Sequence, residues 1–293
     1  MHKTARPHDA VCVAVPDLFK PEMSDTDFRR FADFFAERLG FEMPPTKRAL
    51  LVGRLAQRLR ALGLDSYAEY WRVLTAPGSE SEVQVAIDRI TTNETSFFRE
   101  PAQFAFLRRA LLERRLPPGR TLRRWSAACS TGEEAYSLAM LLAETLGLDA
   151  PWEILASDVS QLALQRARRG LYPLAGLRGL PPHLLNRYCL RGLDEYRGQM
   201  LIDRALRQRV SFLPLNLVQA LPAELGRFEV IFLRNVLIYF EPAVRARVVT
   251  RICERLAPGG LLLVGSAETL AGLGTGLERL RPAIYRWPQG SPS

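Results

Sequence analysis

The chain is 293 residues long, 47% apolar and 24% charged, the balance of a soluble globular protein with room for two domains and a sizeable core. Its histidines are only His2, His8 and His183, and its cysteines only Cys12, Cys129, Cys189 and Cys253. That supply and spacing argue against a histidine triad, a histidine-rich metal centre, a C-x-x-C zinc site and a disulfide framework. The formal charge is +9, and lysine occurs only at Lys3, Lys20 and Lys47; the resulting arginine excess favours an acidic partner without choosing among nucleic acid, membrane and protein.

Residues 1–22 read as a flexible tail. Val11–Val15 is apolar, but Pro16, Asp17 and Lys20 follow at once, so it is no secretory h-region. Residues 23–90 read as a small all-α domain. Ser24 with Asp27 resembles a capping box, and Phe28, Phe31, Phe34, Phe35 and Leu39 follow at helical spacing up to Gly40. Over Lys47–Leu62, Leu51, Leu55, Leu59 and Leu62 share one face, while Lys47, Arg48, Arg54, Arg58 and Arg60 take much of the rest. This basic helix is either a solvated face or a docking surface for an acidic partner, Arg54 and Arg58 being the residues that test it. Ser66–Thr75 and Glu80–Ile90 give two more helices around Pro77-Gly78.

Residues 91–120 read as a linker and ligand-contacting segment, and the pattern changes over 121–288. Thr121–Ala128, Trp152–Ser157, Phe228–Leu233 and Gly260–Val264 read as strands. Helices near Glu133–Leu146, Ser160–Arg169 and Pro242–Leu256 alternate with them. The pattern implies a doubly wound, mostly parallel α/β sheet with its ligand at the strands' carboxyl ends. At about 187–214, Met200, Ile202 and Val210–Leu213 suggest a small antiparallel β insertion; residues 289–293 are a tail. No apolar run is long enough to span a bilayer, and a reducing cytoplasm is the expected compartment.

The most informative stretch is Trp125–Glu134, which leaves a strand and enters a helix through small residues that let a ligand approach the backbone. The G-x-G-x-x-G fingerprint is absent; only Gly132 remains. Glu133 and Glu134 open the helix where a dinucleotide would put its pyrophosphate, and two carboxylates there would repel it. S-adenosylmethionine carries no phosphate but does carry a sulfonium and an ammonium, so an acidic turn suits it. The alternative is that both glutamates merely complement the helix dipole. The next strand ends at Asp158, which either takes both ribose hydroxyls or caps the helix near Ser160.

Four strings carry a family resemblance: Thr91–Glu100 (T-T-N-E-T-S-F-F-R-E), Trp125–Glu134, Ala156–Asp158 and Arg234–Phe240 (R-N-V-L-I-Y-F). In order and spacing they resemble the chemotaxis protein methyltransferases, the CheR family, from about residue 24 to 287. The resemblance implies a Rossmann-like class I methyltransferase domain with the β insertion, preceded by the helical domain. It implies S-adenosylmethionine as cofactor, S-adenosylhomocysteine as product, and no metal. Cofactor contacts are expected from Asn93, Thr95, Arg99, Glu134, Asp158, Asn216, Leu217, Arg234 and Asn235. Asp158 would hold the ribose, Glu134 would lie near the methionine end, and Arg99 and Tyr239 would face the transferring methyl group. Two positions depart from the family pattern: Leu233 stands where many relatives carry cysteine, and Gly265-Ser-Ala-Glu268 stands for G-H-S-E.

The implied reaction, esterification of chemoreceptor glutamates, agrees with what the sequence lacks. A glutamate carboxylate is ionised and nucleophilic at neutral pH, so no general base is required and alignment is the main demand. Without the motif, Arg99 reads equally as a surface ion pair and Tyr239 as a core or strand-edge aromatic. The expected partner is the acidic cytoplasmic helical bundle of a chemoreceptor, met by a monomer, with neither nucleic acid nor membrane insertion. A nucleic-acid methyltransferase is disfavoured because Asn235–Tyr239 lacks the prolines of an N-P-P-Y-like loop. A non-catalytic module that binds adenosylmethionine is disfavoured by intact Arg99 and Tyr239.

Overall fold

The capping box at Ser24 forms, with Ser24 Oγ accepting from Asp27 N–H at 3.0 Å, and helix α1 runs Asp25–Leu39. In this computed structural model, residues 21–113, 120–175 and 177–290 are described; the tail readings for 1–22 and 289–293 lie almost wholly outside them. Helices α2 (Arg48–Leu62), α3 (Tyr67–Thr75) and α4 (Glu80–Ile90) complete the amino-terminal unit. Their apolar stripes meet in one cluster that includes Phe31, Phe35, Leu51, Leu55, Tyr67 and Tyr70.

Within the segment expected as a linker and cofactor-contacting stretch, Pro101–Glu113 forms a helix, α5. Pro101 supplies a preset φ at its first turn, and Phe104, Leu107 and Leu111 bury its inner face. Next come β1 (Leu122–Ser126), α6 (Glu133–Leu146), β2 (Trp152–Asp158) and α7 (Gln161–Arg169), then β3 (Leu171–Pro173), α8 (Pro182–Tyr188), β4 (Cys189–Arg191) and β5 (Gln199–Ile202). The chain continues through α9 (Arg204–Arg207), β6 (Val210–Pro214), β7 (Phe228–Leu233), α10 (Pro242–Cys253) and β8 (Leu256–Val264), and closes with β9 (Glu278–Arg281) and β10 (Ile284–Arg286).

Seven strands form one sheet in the order β6-β2-β1-β7-β8-β10-β9. The first five are parallel, and β10 and β9 add antiparallel at one edge. The chain winds outward from β1 to one side and from β7 to the other, so the topological switch lies between β1 and β7, where open α/β sheets place their ligands. Phe104, Leu138 and Leu142 belong to the apolar cluster on one side of the sheet, and Val244, Val248 and Ile252 of α10 to the cluster on the other.

The β insertion is real but bounded differently from the expectation of 187–214. It is the three-stranded sheet β3-β5-β4, and so begins at Leu171. Val210–Leu213 does not belong to it: β6 pairs parallel with β2, from Ile154 opposite Val210 to Asp158 opposite Pro214. Strands of three or four residues are too short for periodicity to declare them, and alternation marks a strand without saying which sheet it joins.

On the basic helix, Arg54 and Arg58 both have partners on or next to α4. Arg54 Nη1 donates to the carbonyls of Arg89 (2.9 Å), Ile90 (3.2 Å) and Thr91, and Nη2 to Thr92 Oγ1 at 3.2 Å. It thereby satisfies the orphan carbonyls at the end of α4. Arg58 grips Glu82 through two hydrogen bonds, and Tyr70 donates to the same carboxylate at 2.8 Å. Both arginines join α2 to α4. The Arg58 and Glu82 side chains are only 23% and 12% exposed. Arg58→Glu therefore sets one carboxylate against another in a semi-buried site, and unfolding in urea should show a loss of about 2 kcal/mol.

Candidate active site

At the carboxyl end of β1 the chain runs through Ala127 and Ala128 into a tight turn before α6. Ser130 (φ 51°) and Gly132 (φ 97°) both take left-handed conformations there. Gly132 has no alternative: a Cβ would lie 2.8 Å from Ala167 Cβ and 2.9 Å from Tyr172 Oη. The turn is fixed from β2, because Asp158 Oδ2 accepts from Ser130 N–H (2.8 Å) and Oδ1 from Ser160 N–H (2.9 Å). Asp158 is buried, while the N-cap of α7 is Ser160 itself, whose side chain accepts from Ala163 N–H. Asp158 thus braces two turns, and each oxygen keeps lone-pair capacity for a further donor.

The structure separates the two glutamates that open α6. Glu133 turns away, accepting from Thr131 Oγ1 at 2.7 Å and lining a second hollow with Tyr172 and Arg178. Glu134 faces the main cleft. It accepts from Ser126 Oγ at 2.6 Å and lies 3.3 Å from Arg234 Nη1. Burial raises the pKa of Glu134, against the lowering pull of Arg234 and the Ser126 hydroxyl.

Arg234, at the carboxyl end of β7, has a side chain only 1% exposed. It donates to the carbonyl of Arg99, lies 3.5 Å from Glu100 Oε2, and packs beside the rings of Phe104 and Phe232. Its Nε and Nη1 have no hydrogen-bond partner. A buried guanidinium with an unmet donor beside a carboxylate is a costly arrangement, and it fits a ligand that brings its own carboxylate and ammonium together. S-adenosylmethionine has that pair at its methionine end.

All ten residues expected to touch cofactor or methyl group line this one cleft: Asn93, Thr95, Arg99, Glu134, Asp158, Asn216, Leu217, Arg234, Asn235 and Tyr239. Its empty volume, open mouth included, is about 910 Å³. Arg99 donates to the Glu94 carbonyl at 3.1 Å and sits between Phe98 (φ 49°) and Glu100 (φ 60°). Two left-handed residues, one on each side of Arg99, are the kind of backbone strain that gathers at functional sites. Asn216 does double duty, since its Nδ2 donates to the Arg38 carbonyl at 2.7 Å and ties the cleft to the end of α1. Arg54 and Arg58 do not line the cleft.

Several residues at the site were not anticipated. Leu39 and Phe41 bring the helical domain into the cleft wall. Phe41 bridges to Phe240, and its ring centroid is 5.8 Å from that of Tyr239. Phe104 of α5 also lines the cleft. No local pattern marks Phe41, because its partner lies in the other domain; Phe104 could have been found from its spacing with Leu107 and Leu111. Among the described residues, no group of three or more His, Cys, Asp or Glu is placed to hold a metal ion, and no helix is long and apolar enough to cross a membrane.

Comparison with known proteins agrees with this geometry in both domains. Residues 26–91 match the family described as CheR methyltransferase, all-alpha domain, and residues 93–282 match CheR methyltransferase, SAM binding domain. The chemotaxis protein methyltransferase of Salmonella typhimurium is 39% identical over 253 residues, covering 86% of this chain and 86% of the relative. That of Escherichia coli is also 39% identical, covering 86% and 87%. Chemotaxis protein methyltransferase 2 of Pseudomonas aeruginosa is 41% identical, covering 83% and 86%. With the helical and SAM-binding regions both matched, this chain belongs to the CheR methyltransferase family.

Proposed function

We propose that this protein transfers a methyl group from S-adenosylmethionine to glutamate side-chain carboxylates of chemoreceptors, releasing S-adenosylhomocysteine. The observation that carries the reading is the composition of the cleft: buried Asp158 and Arg234, the mostly covered Glu134, Arg99 and Tyr239, and no histidine among the lining residues. A cleft with no histidine to act as base suits an acceptor that is already ionised. The names of the relatives make a chemoreceptor the natural bearer of that acceptor.

When bound, the cofactor supplies a methyl group activated by its sulfonium. Asp158 receives the ribose hydroxyls with its remaining lone pairs. Glu134 takes the ammonium, and Arg234 Nη1 takes the carboxylate of the methionine end. Arg99 orients the incoming glutamate through one oxygen, because a two-oxygen grip would quench the nucleophile. Tyr239, backed by Phe41, walls the reacting side and helps exclude water. Alignment of this kind can supply roughly 7–11 kcal/mol of the barrier reduction. The substrate is then the glutamate-bearing helical bundle of the receptor, met in the cytoplasm by a monomer. Each ester formed removes one negative charge and relaxes repulsion between neighbouring receptor helices.

Incubation with tritiated S-adenosylmethionine and chemoreceptor cytoplasmic fragments should label the receptor, and alkali should release the label as methanol. Alkali-stable label, or none across several receptors despite S-adenosylhomocysteine binding, overturns the reading.

A second expectation concerns pH. Burial holds Glu134 above its ordinary 4.5 and Asp158 above its ordinary 3.8. The ligand-free fold therefore binds these protons more tightly than the unfolded chain does, and its stability falls as pH rises from the ordinary values through the raised ones. A ligand carrying an ammonium favours the ionised forms. S-adenosylhomocysteine should bind more tightly as pH rises through that window and should release protons on binding. Titration calorimetry in two buffers of different ionisation enthalpy should give different apparent enthalpies there; equal enthalpies would count against the linkage.

A further inference from the structure

Glu268 does not line the cleft, yet it is only 7% exposed and both its oxygens are spent on the backbone of the cleft wall. Oε2 accepts from Asn235 N–H (2.8 Å) and Gly265 N–H (2.6 Å). Oε1 accepts from Leu237 N–H (2.8 Å) and Ile238 N–H (3.3 Å). Three of these four amides belong to one turn, in which Asn235 takes φ 56° and Leu237–Tyr239 forms a 3₁₀ turn. A left-handed residue followed by the start of a helical turn leaves several N–H groups converging with no backbone acceptor. An ionised carboxylate can accept all four at once; a carboxamide has one oxygen, and its NH₂ would oppose two of the donors.

The surrounding residues are built for this grip. A Cβ on Gly265 would lie 2.6 Å from Asn235 Nδ2 and 2.8 Å from Glu268 Oε2, so the close approach of the two segments depends on its absence. Next to it, Ser266 donates its N–H (3.0 Å) and Oγ–H (3.1 Å) to Glu100 Oε1. Glu100 follows Arg99 directly. The turn after β8 therefore touches both loops that carry the proposed methyl-transfer residues.

We propose that Glu268 is a positioning residue: its carboxylate holds the Asn235–Tyr239 turn through backbone N–H groups and so sets the Tyr239 ring against Phe41 in the cleft. The part played by Tyr239 in methyl transfer rests on the function proposed above; the grip on its turn does not. The test uses the full chain carrying Glu268→Gln, with active sites titrated by S-adenosylhomocysteine. Hydrogen exchange should accelerate at least about tenfold at Asn235, Leu237 and Ile238, with helices α2 and α10 unchanged. The kcat per titrated site for receptor methylation should fall on the order of 100-fold, while KM for S-adenosylmethionine stays within about threefold. Glu268→Asp, which keeps the charge on a shorter arm, should recover part of the loss, and it carries the same two readouts if the Gln variant does not fold. Unchanged exchange at the turn, or a fall in active sites with kcat per site intact, overturns the proposal. If the wild-type protein methylates no receptor, the exchange measurement still decides the grip, and only the functional reading fails.

Discussion

At the carboxyl ends of β1, β2, β7 and β8 the chain turns away from the sheet, and at each turn a carboxylate with little exposure takes up donors that have no place in a strand ladder. Asp158 takes Ser130 and Ser160, Glu134 takes Ser126, and Glu268 takes the turn after β7. Two more charges close the set, with Arg234 lying between Glu134 and Glu100. Burying so many ionisable groups is expensive, and the expense is met by hydrogen bonds that also fix the left-handed residues Ser130 and Asn235. The shape of the cleft is therefore an electrostatic construction first and an apolar one second.

The helical domain is part of that construction. Its α4 meets α7 through Gln84, which donates to the Val159 carbonyl at 3.1 Å, and through Asp88, which accepts from Leu162 N–H at 3.3 Å. Arg54 holds the carbonyls that lead directly to Thr92 and Asn93. An arginine that looks from its spacing like a free surface charge is thus a strut for the segment that enters the cleft.

Much of this was legible beforehand. The helices Glu80–Ile90 and Glu133–Leu146 and the strand Phe228–Leu233 follow from amphipathic or wholly apolar runs long enough to declare a period. Glu134 and Asp158 were legible from their chemistry beside strand ends, whereas the other cleft residues came only from the resemblance of short strings to the CheR family. What escaped was set by tertiary pairing. The sheet that β6 joins, the partners of Arg54 and Arg58, and the entry of Phe41 into the cleft depend on residues far away in sequence. Glu268 was visible only as the last letter of a departing motif, and nothing local says that a buried carboxylate will face four amides.

The segment Leu39–Glu42 joins the two halves by main chain as well as side chain. Glu42 N–H donates to the Tyr239 carbonyl at 2.9 Å, and Glu241 N–H donates to the Gly40 carbonyl at 3.0 Å. Those are the bonds of a miniature antiparallel ladder built from two domains. For anyone grafting the catalytic half onto a different recognition module, the seam cannot be cut at the apparent domain boundary near residue 91. A chimera must carry this short strip along with the catalytic half, or the wall behind Tyr239 goes with the discarded piece.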